Sequence, residues 1–569
     1  MKQIPDKYIF HVLLCLAGVV CVAGLPIHLM DPDAALYASI ARTMAETGNY
    51  SDLYLLGTDW LDKPHFPFWV TALSFRVFGI STVAYKLPAV LFMVLAALYT
   101  YRFAKSLYDV QTARLSVLVL LTAQHIVLSN SDVRAEPYLT GLVIAATYHF
   151  YRLRRAFSYK HLLLGSLLAA CAMMTKGIFT MIPVAGAIAA DILFKKEWKE
   201  LLRWRWLAAI VLSLAFTFPE LISLYRQFDA HPEKVVFGRQ GVSGIRFFFW
   251  DSQIGRFFNT GPIKGAGDPF FFIHTLLWAF LPWCLVLYYG LFRLVKENFG
   301  IKNPDEEPHT REFYNLGGAV LTVLVFSLSK FQLPHYTNII FPFLAAFTAR
   351  TILGIAVSGR GIRFYAVAQY FTIAVFVAAM VLLEYFFRPA HHPFWFWAAA
   401  ALVVAAGIAF NRTSLPVWQK IFYQTCLASL LFNAYANRVF YPALLTYQAP
   451  SQAALYANRH FPGQAAVVFG DIRTHSFEFY LRQPVRWQFT VAGLRGANRG
   501  SDLLVYTAAG QLAQIRAAGI PYRVLQSFGQ FHVTTLTPGF LNHRTRQQAL
   551  ETHVLVRIPK QARPQDFGK

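Results

Sequence analysis

Charge is scarce in this sequence. Only 14% of its residues are Asp, Glu, Lys or Arg, against about 25% in an average soluble domain. That excludes a soluble protein with a large water-facing surface. Cysteine is scarcer still. Cys15, Cys21, Cys171, Cys284 and Cys426 all lie in apolar stretches, with no Cys-x-x-Cys pair. A cysteine-based metal site and a disulfide framework are therefore excluded. The polar C-terminal part has no cysteine, so it needs no disulfide even in an oxidising compartment. Acids are outnumbered, 29 against 52 bases, for a formal charge of +23. Yet no basic module interleaved with aromatics stands outside the apolar blocks, so no nucleic-acid partner is expected. Internal repeats and low-complexity stretches are also missing.

What is present is apolar mass. Hydrophobic residues make up 56% of the chain. They come in blocks of about 17–25, the length that crosses roughly 30 Å of hydrocarbon. Candidate spans are 8–29, 84–104, 112–130, 137–152, 161–175, 177–194, 206–224, 269–294, 313–328, 336–356, 364–386, 394–411 and 419–440. The first is too long for a signal peptide and lacks a small-residue cleavage site before Asp31. Two spans touch at Thr175-Lys176-Gly177, where a tight hairpin is expected. The prediction is a polytopic α-helical membrane protein with about thirteen transmembrane helices. Residues 1–444 would form the membrane part and 445–569 a small α/β domain.

Bases recur in every second loop: Lys105/Arg114, Arg152–Arg155 with Lys160, Lys195–Arg205, Arg293–Arg311, Arg360/Arg363 and Arg412/Lys420. That side is expected to be cytoplasmic, the bases meeting anionic membrane lipid. The chain would then sit in the cell inner membrane, with its C-terminal domain periplasmic. Loops 30–83 and 225–268 would lie on the outer face. In the C-terminal part, Ser451–Phe461 and Ala508–Ala518 read as helices. Residues 465–469, 503–506, 522–528 and 531–536 read as strands.

Polar clusters beside a membrane normally mark a function. Loop 30–83 opens with Asp31-Pro32-Asp33, a pattern that also suits a capped helix start. The helix continues as an amphipathic stripe of Leu36, Tyr37, Ile40, Ala41 and Met44, suited to the membrane surface. Further on, Asp62-Lys63-Pro64-His65 precedes Phe66, Phe68 and Trp69. An interfacial aromatic belt explains the aromatics but not the Asp62-Lys63 pair. Lys176, on the outer side against the orientation rule, needs an anionic partner, either a donor phosphate or a structural acid. Arg134 and Glu136 either pair with each other or line a site.

In order along the chain stand Asp33-x-x-x-Tyr37-x-x-Ile40-Ala41-Arg42, Asp62-Lys63-Pro64, Lys86-Leu87-Pro88 and Arg134-Ala-Glu136-Pro. Thr175-Lys176-Gly177, Ile254-Gly-Arg256-Phe257, Phe280-Leu-Pro282-Trp283 and Ser329-Lys330 with Pro334-His335-Tyr336 follow. This succession resembles the GT-C glycosyltransferases of the lipid A aminoarabinose transferase and dolichyl-phosphate-mannose–protein mannosyltransferase family. The resemblance covers about residues 25–345.

The resemblance implies a polyprenyl-phosphate sugar donor and a lipid, protein or glycan acceptor on the outer face. It assigns the catalytic acid of the first outer loop to Asp33. Lys63, Arg256 and Lys176 are expected to hold the donor phosphate. Asp62, Arg134, Glu136, Lys330, His335 and Tyr336 are expected to line the site. Sugar transfer from a phosphodiester needs a base for the hydroxyl and cations for the departing phosphate. A single carboxylate suffices for inversion.

Two departures from the family pattern stand out. Relatives often read Asp-Glu where this chain has Asp33-Ala34. Aminoarabinose transferases tend to carry Glu-His where Ser252-Gln253 stand, and neither residue is a good metal ligand. No cofactor is expected, and a divalent metal has no supporting motif. His65, His231, His274 and His335 show no ligand spacing. Gly470–Leu481 reads either as a lid over the cavity or as a plain cap. A transporter or flippase of lipid-linked sugars is the alternative reading; the lack of repeated halves speaks against it.

Overall fold

The computed structural model describes residues 6–299, 313–390, 393–472, 475–497 and 502–560. The end of the basic run at Arg311, and Arg473-Thr474 of the C-terminal motif, lie outside the described residues. The membrane part begins with α1 (Asp6–Ala23), α2 (Asp33–Thr47), α3 (Phe66–Phe78) and α4 (Thr82–Leu107). It continues with α5 (Val110–Thr122), α6 (Gln124–Ser131), α7 (Glu136–Arg155) and α8 (Tyr159–Lys176). Next come α9 (Ile182–Phe194), α10 (Trp204–Phe216) and α11 (Phe218–Leu224).

Among the described residues, four helices are long and apolar enough to cross a membrane: Thr82–Leu107, Pro334–Ser358, Ile362–Phe387 and Phe394–Arg412. Two bent pairs, Val110–Thr122 with Gln124–Ser131 (54°) and Trp204–Phe216 with Phe218–Asp229 (40°), raise the number to six. Other predicted blocks form shorter apolar helices, among them Phe66–Phe78, Ile178–Phe194 and Tyr314–Leu328. α7 and α8 are 20 and 18 residues long and carry charges near both ends. These polar ends are what bring the chemistry together.

The expected hairpin at Thr175–Gly177 takes another form. α8 does stop at Lys176, and Gly177 turns the chain at φ +93°. A side chain there would also meet Gln253 at 2.1 Å. But α9 departs through a short helix, Ile178–Met181, and packs chiefly on Tyr314–Leu328.

The start of α2 also differs from the expectation. Asp31 does not cap it. Its carboxylate accepts from the backbone N–H of Ser476 at 2.9 Å and from the Ser476 hydroxyl. α2 does not lie free on a surface either. Of its stripe, Ile40, Ala41 and Met44 are buried and Leu36 and Tyr37 half-buried, and the helix packs between α3 and the helix His475–Tyr480. The C-terminal layer covers what the sequence left unpartnered.

That layer carries β3 (Ala466–Phe469), β4 (Val485–Gln488), β5 (Leu503–Ala508), β6 (Arg523–Gln530) and β7 (Glu551–Ile558). Short strands β1 (Tyr54–Leu55) and β2 (Thr58–Asp59) form a separate hairpin in loop 30–83. The sheet order is β4-β3-β5-β7-β6, with β3 parallel to β4 and β5, and β7 antiparallel to β5 and β6. β4 and β7 escaped the sequence reading. Residues 531–536 are not a strand. Phe531 instead stacks on Phe540, ring centroids 3.6 Å apart, and its N–H donates to Tyr447 O. It thereby joins an aromatic cluster with Phe387 and Phe440.

Layer and membrane part are tied by hydrogen bonds. Arg42 Nη1 donates to the carbonyls of Glu478, Phe479 and Leu481 at 3.1, 3.2 and 2.8 Å. Tyr480 Oη accepts from Leu29 N–H at 2.8 Å. The Gly470–Leu481 motif is thus a clamp on α2. Burial pushes Asp31 up to about 7, against the hydrogen bonds from Ser476.

Candidate active site

Charged side chains at the ends of α2, α7 and α8, and in the loops beside them, converge on one cavity. Its inner part encloses about 820 Å³. It is continuous, through Asp62, Lys63, Glu136, Lys176, Arg256, His335 and Tyr336, with an outer part of about 840 Å³ that reaches Asp33 and Arg134. Leu139, Phe179, Phe326 and Ile339 supply apolar walls to the inner part.

Two charge groups occupy this space. Asp62 sits between two cations. Lys63 Nζ is 2.5 Å from Asp62 Oδ2, and Arg256 pairs with Oδ1. Burial pushes Asp62 up, but Lys63 and Arg256 outweigh it and bring it down to about 2. Lys63 is lowered, first by its own burial and then by nearby Arg256 and Lys176, against the attraction of Asp62. One carboxylate shared by two cations leaves a local charge of +1. In addition, Arg256 Nε is buried with no hydrogen-bond partner. Such a donor is costly unless something accepts from it.

At the other end the sign reverses. Arg134 Nη1 lies 2.7 Å from Asp33 Oδ2, and Nη2 lies 3.0 Å from Asp132 Oδ2. Burial works against the Arg134 charge, but Asp132, Asp33 and Glu136 outweigh it. Two carboxylates on one guanidinium leave a local charge of −1. Between the groups, Lys176 pairs with Glu136, and its Nζ stands 4.0 Å from the centroid of the Tyr336 ring. His335 Nε2 is 3.6 Å from the same Glu136 carboxylate. The cavity is therefore a dipole, cationic at Lys63 and Arg256 and acidic at Asp33.

A buried scaffold holds the loops in place. His65 Nδ1 meets Glu220 Oε1 at 3.0 Å, both fully buried, and His65 N–H donates to Glu220 Oε2 at 3.0 Å. Gln227 spans to the β1–β2 hairpin, accepting from Leu53 N–H at 3.0 Å and donating to Leu53 O at 2.8 Å. Gln253 Nε2 donates to Lys176 O at 3.2 Å, and its Oε1 accepts from Phe179 N–H at 3.4 Å.

The dolichyl-phosphate-mannose-protein mannosyltransferase family profile matches residues 62–222. The undecaprenyl phosphate-alpha-4-amino-4-deoxy-L-arabinose arabinosyl transferase of Erwinia tasmaniensis is 28% identical over 391 residues, 67% of this chain and 66% of that protein. The enzyme of the same name from Edwardsiella ictaluri is 32% identical over 346 residues, 59% and 57% of the two chains. The chain thus spans two thirds or less of the length of these two relatives. The fold extends further. ArnT from Cupriavidus metallidurans bound to undecaprenyl phosphate superposes with a TM-score of 0.72 over 97% of this chain and 98% of that one, at 16% identity. This chain is similar in sequence to the aminoarabinose transferases and shares the fold of one of them.

The cavity gathers Asp33, Asp62, Lys63, Arg134, Glu136, Lys176, Arg256, His335 and Tyr336. Lys330 is the exception. It is exposed and lines neither part of the cavity, whereas its neighbours Ser329 and Phe331 line the inner part. Gly265 and Gly267 pack against the 329–331 backbone and fix which way the segment faces. The suggested Arg134–Glu136 pair does not form, because Arg134 turns to Asp33 and Asp132 while Glu136 takes Lys176. For Lys176 the two readings combine: it pairs with an acid and it lines the cavity.

Among the described residues no cluster of three or more His, Cys, Asp or Glu side chains is placed to hold a metal. His231 pairs with Glu233 at 3.0 Å and His274 with Asp268 at 3.4 Å. Sequence reasoning passed over Trp60, Phe237 and Glu220, and met Gln253 only as a departure from the family pattern. For Glu220 the signal was available, since an acid in an apolar run needs a buried partner.

Proposed function

We propose that this GT-C protein moves a monosaccharide from a polyprenyl-phosphate donor to an acceptor hydroxyl at the outer face of the inner membrane. The observation that carries this reading is the Asp62 group. Two cations share one carboxylate there, and the second of them keeps a buried, unpartnered donor. A donor phosphate satisfies both conditions. It supplies negative charge to the local excess and lone pairs to Arg256 Nε. Arg offers phosphate a planar fork and Lys a point charge. The apolar walls suit the start of a polyprenyl chain.

Asp33 is the base in this scheme. The acceptor O–H gives its proton to the Asp33 carboxylate as the oxygen attacks the anomeric carbon. The bond from that carbon to the phosphate oxygen breaks, and the polyprenyl phosphate leaves with the electron pair, held by Lys63 and Arg256. Direct attack inverts the anomeric centre, and one carboxylate is enough for it. The relatives' names make an aminopentose the first sugar to try. A lipid, a protein and a surface glycan are all acceptors to test. The C-terminal layer belongs on the same outer side, since it is clamped to α2.

The test is release of undecaprenyl phosphate from undecaprenyl-phosphate sugars by detergent-purified protein supplied with membrane extract. Asp33→Ala should lower release by about 10²–10⁴-fold, the usual contribution of a general base. Unchanged release by Asp33→Ala would remove Asp33 from the mechanism. Tight donor binding with no release from any sugar would point to a flippase.

A further inference from the structure

A second cavity lies at the other ends of the helices that build the first. α7 begins at Glu136 in the proposed active site and ends at Arg155; its 20 residues span about 30 Å, the thickness of a bilayer's hydrocarbon. α8 runs back, from Tyr159 to Lys176. Between the far ends of α4, α7 and α8 is a space of about 1110 Å³, lined by Ser106, Tyr151, Arg152, Arg155, Ser158 and His161.

Its electrostatics differ from those of the active site. There, each Lys or Arg has a carboxylate partner. Here, among the described residues, Arg152, Arg155 and Lys160 take part in no ion pair, although the Arg154 between them pairs with Asp191 and Glu197. Arg155 is held over the Tyr151 ring at 5.5 Å, and Tyr151 Oη donates to Ser106 O at 3.0 Å. His161 is fixed by a 2.8 Å contact between its Nδ1 and that of His149. Arg155 is thus positioned, and among the described residues neither it nor Arg152 is neutralised. The uncapped start of α8 adds its N–H groups to the same side.

The surroundings place this cavity at headgroup depth. Phe157, Tyr159 and Trp204 flank it, all exposed. The Phe157 ring touches the other two, with centroids 5.0 Å from Tyr159 and 4.9 Å from Trp204. Exposed aromatics of this kind sit where hydrocarbon meets water. The ends of the three helices therefore present a cationic, hydroxyl-lined hollow at lipid-phosphate level, on the basic side of the chain.

We propose that this cavity binds a phosphate group, delivered by the headgroup of an anionic phospholipid in the leaflet opposite the active site. The lipid phosphate neutralises Arg152 and Arg155, and the glycerol backbone follows the exposed aromatics.

The test uses the full chain reconstituted with phosphatidylcholine and phosphatidylglycerol, extracted mildly and read by native mass spectrometry for retained lipid. Wild type should keep phosphatidylglycerol over phosphatidylcholine. An Arg152→Gln/Arg155→Gln double variant should lose that preference by about tenfold or more, given the roughly 1 kcal/mol that each juxtamembrane base contributes. Arg152→Lys/Arg155→Lys should keep most of it, which separates lost charge from lost fold. Equal retention of the two lipids by wild type would overturn the proposal, as would equal phosphatidylglycerol retention by wild type and the Gln variant. Inorganic phosphate that bound wild type but not the Gln variant, with no lipid preference, would show a free-phosphate site and overturn the lipid assignment.

Discussion

Arg134 Nη1 stands 2.7 Å from Asp33 Oδ2, so the proposed base is held by a guanidinium that Asp132 anchors from behind. Arg134→Gln frees Asp33 without removing it. The expected result is a fall in kcat of about 10–100-fold with little change in donor KM, because positioning acts on the chemical step. Arg134→Lys should recover only part of kcat, since lysine lacks the fork that reaches both carboxylates. Steady-state release of undecaprenyl phosphate measures both. A rise in donor KM alone would instead put Arg134 in the donor's binding site.

Lys63 and Arg256 should act on the other parameter. With charge-assisted hydrogen bonds contributing about 1.5–3 kcal/mol each, Lys63→Gln and Arg256→Gln should each weaken donor affinity by about 10–100-fold. The two share Asp62, so the double variant should fall short of the product of the singles. Titration with undecaprenyl phosphate itself gives the answer without turnover.

The Lys176–Glu136 pair is mostly buried, with side-chain exposures of 19% and 4%. Removing either partner strands the other, at a cost of about 3–5 kcal/mol. Glu136→Gln and Lys176→Met should each lower the thermal midpoint. The double variant should be more stable than either single one, though inactive. Additive losses would mean that the two charges are stabilised independently.

Asp31 gives the clamp a pH dependence. Its folded pKa, about 7 through burial, lies above the ordinary 3.8. Folding therefore favours the protonated acid, so stability is full below about pH 4 and falls as pH rises through 7. Asp31→Asn should flatten this component between pH 4 and 8 while keeping an acceptor for Ser476. Proteolysis of the C-terminal layer as a function of pH, wild type against variant, measures it. Parallel profiles would show that Asp31 does not titrate across the range.

Much of the site was legible because its residues contradict their setting. Lys63, Lys176 and Arg256 are cations next to apolar blocks, on the side where the loop charges lead one to expect few bases. Partner choice was not legible. Glu136 lies two residues from Arg134 in sequence, yet the start of α7 turns the two apart, and each finds its counter-charge elsewhere. Lys330 misled for a related reason. In a non-helical segment the facing of each side chain depends on what packs against the backbone, here Gly265 and Gly267. Of the fold, the apolar blocks gave the helices but not their lengths, since Gly177 and the bends after Thr122 and Phe216 interrupt otherwise continuous hydrophobicity. β7 was missed although Val554, Leu555, Val556 and Ile558 are apolar, because Glu551, His553 and Arg557 break the alternation of a half-buried strand.

The ion pairs of the cavity also set a timetable for biogenesis. Glu136 precedes Lys176 by 40 residues, and Asp62 precedes Arg256 by 194. At roughly 5–20 residues per second, Asp62 waits about 10–40 seconds on the ribosome for the arginine, with only Lys63 beside it. Glu136 waits only a few seconds. The α7–α8 unit is therefore neutralised early, as a helical hairpin. The Asp62 end of the cavity stays unfinished until loop 225–268, which carries Arg256, has been made. A chain that ends before Arg256 would hold a neutral Asp62–Lys63 pair in place of the finished group's single positive charge.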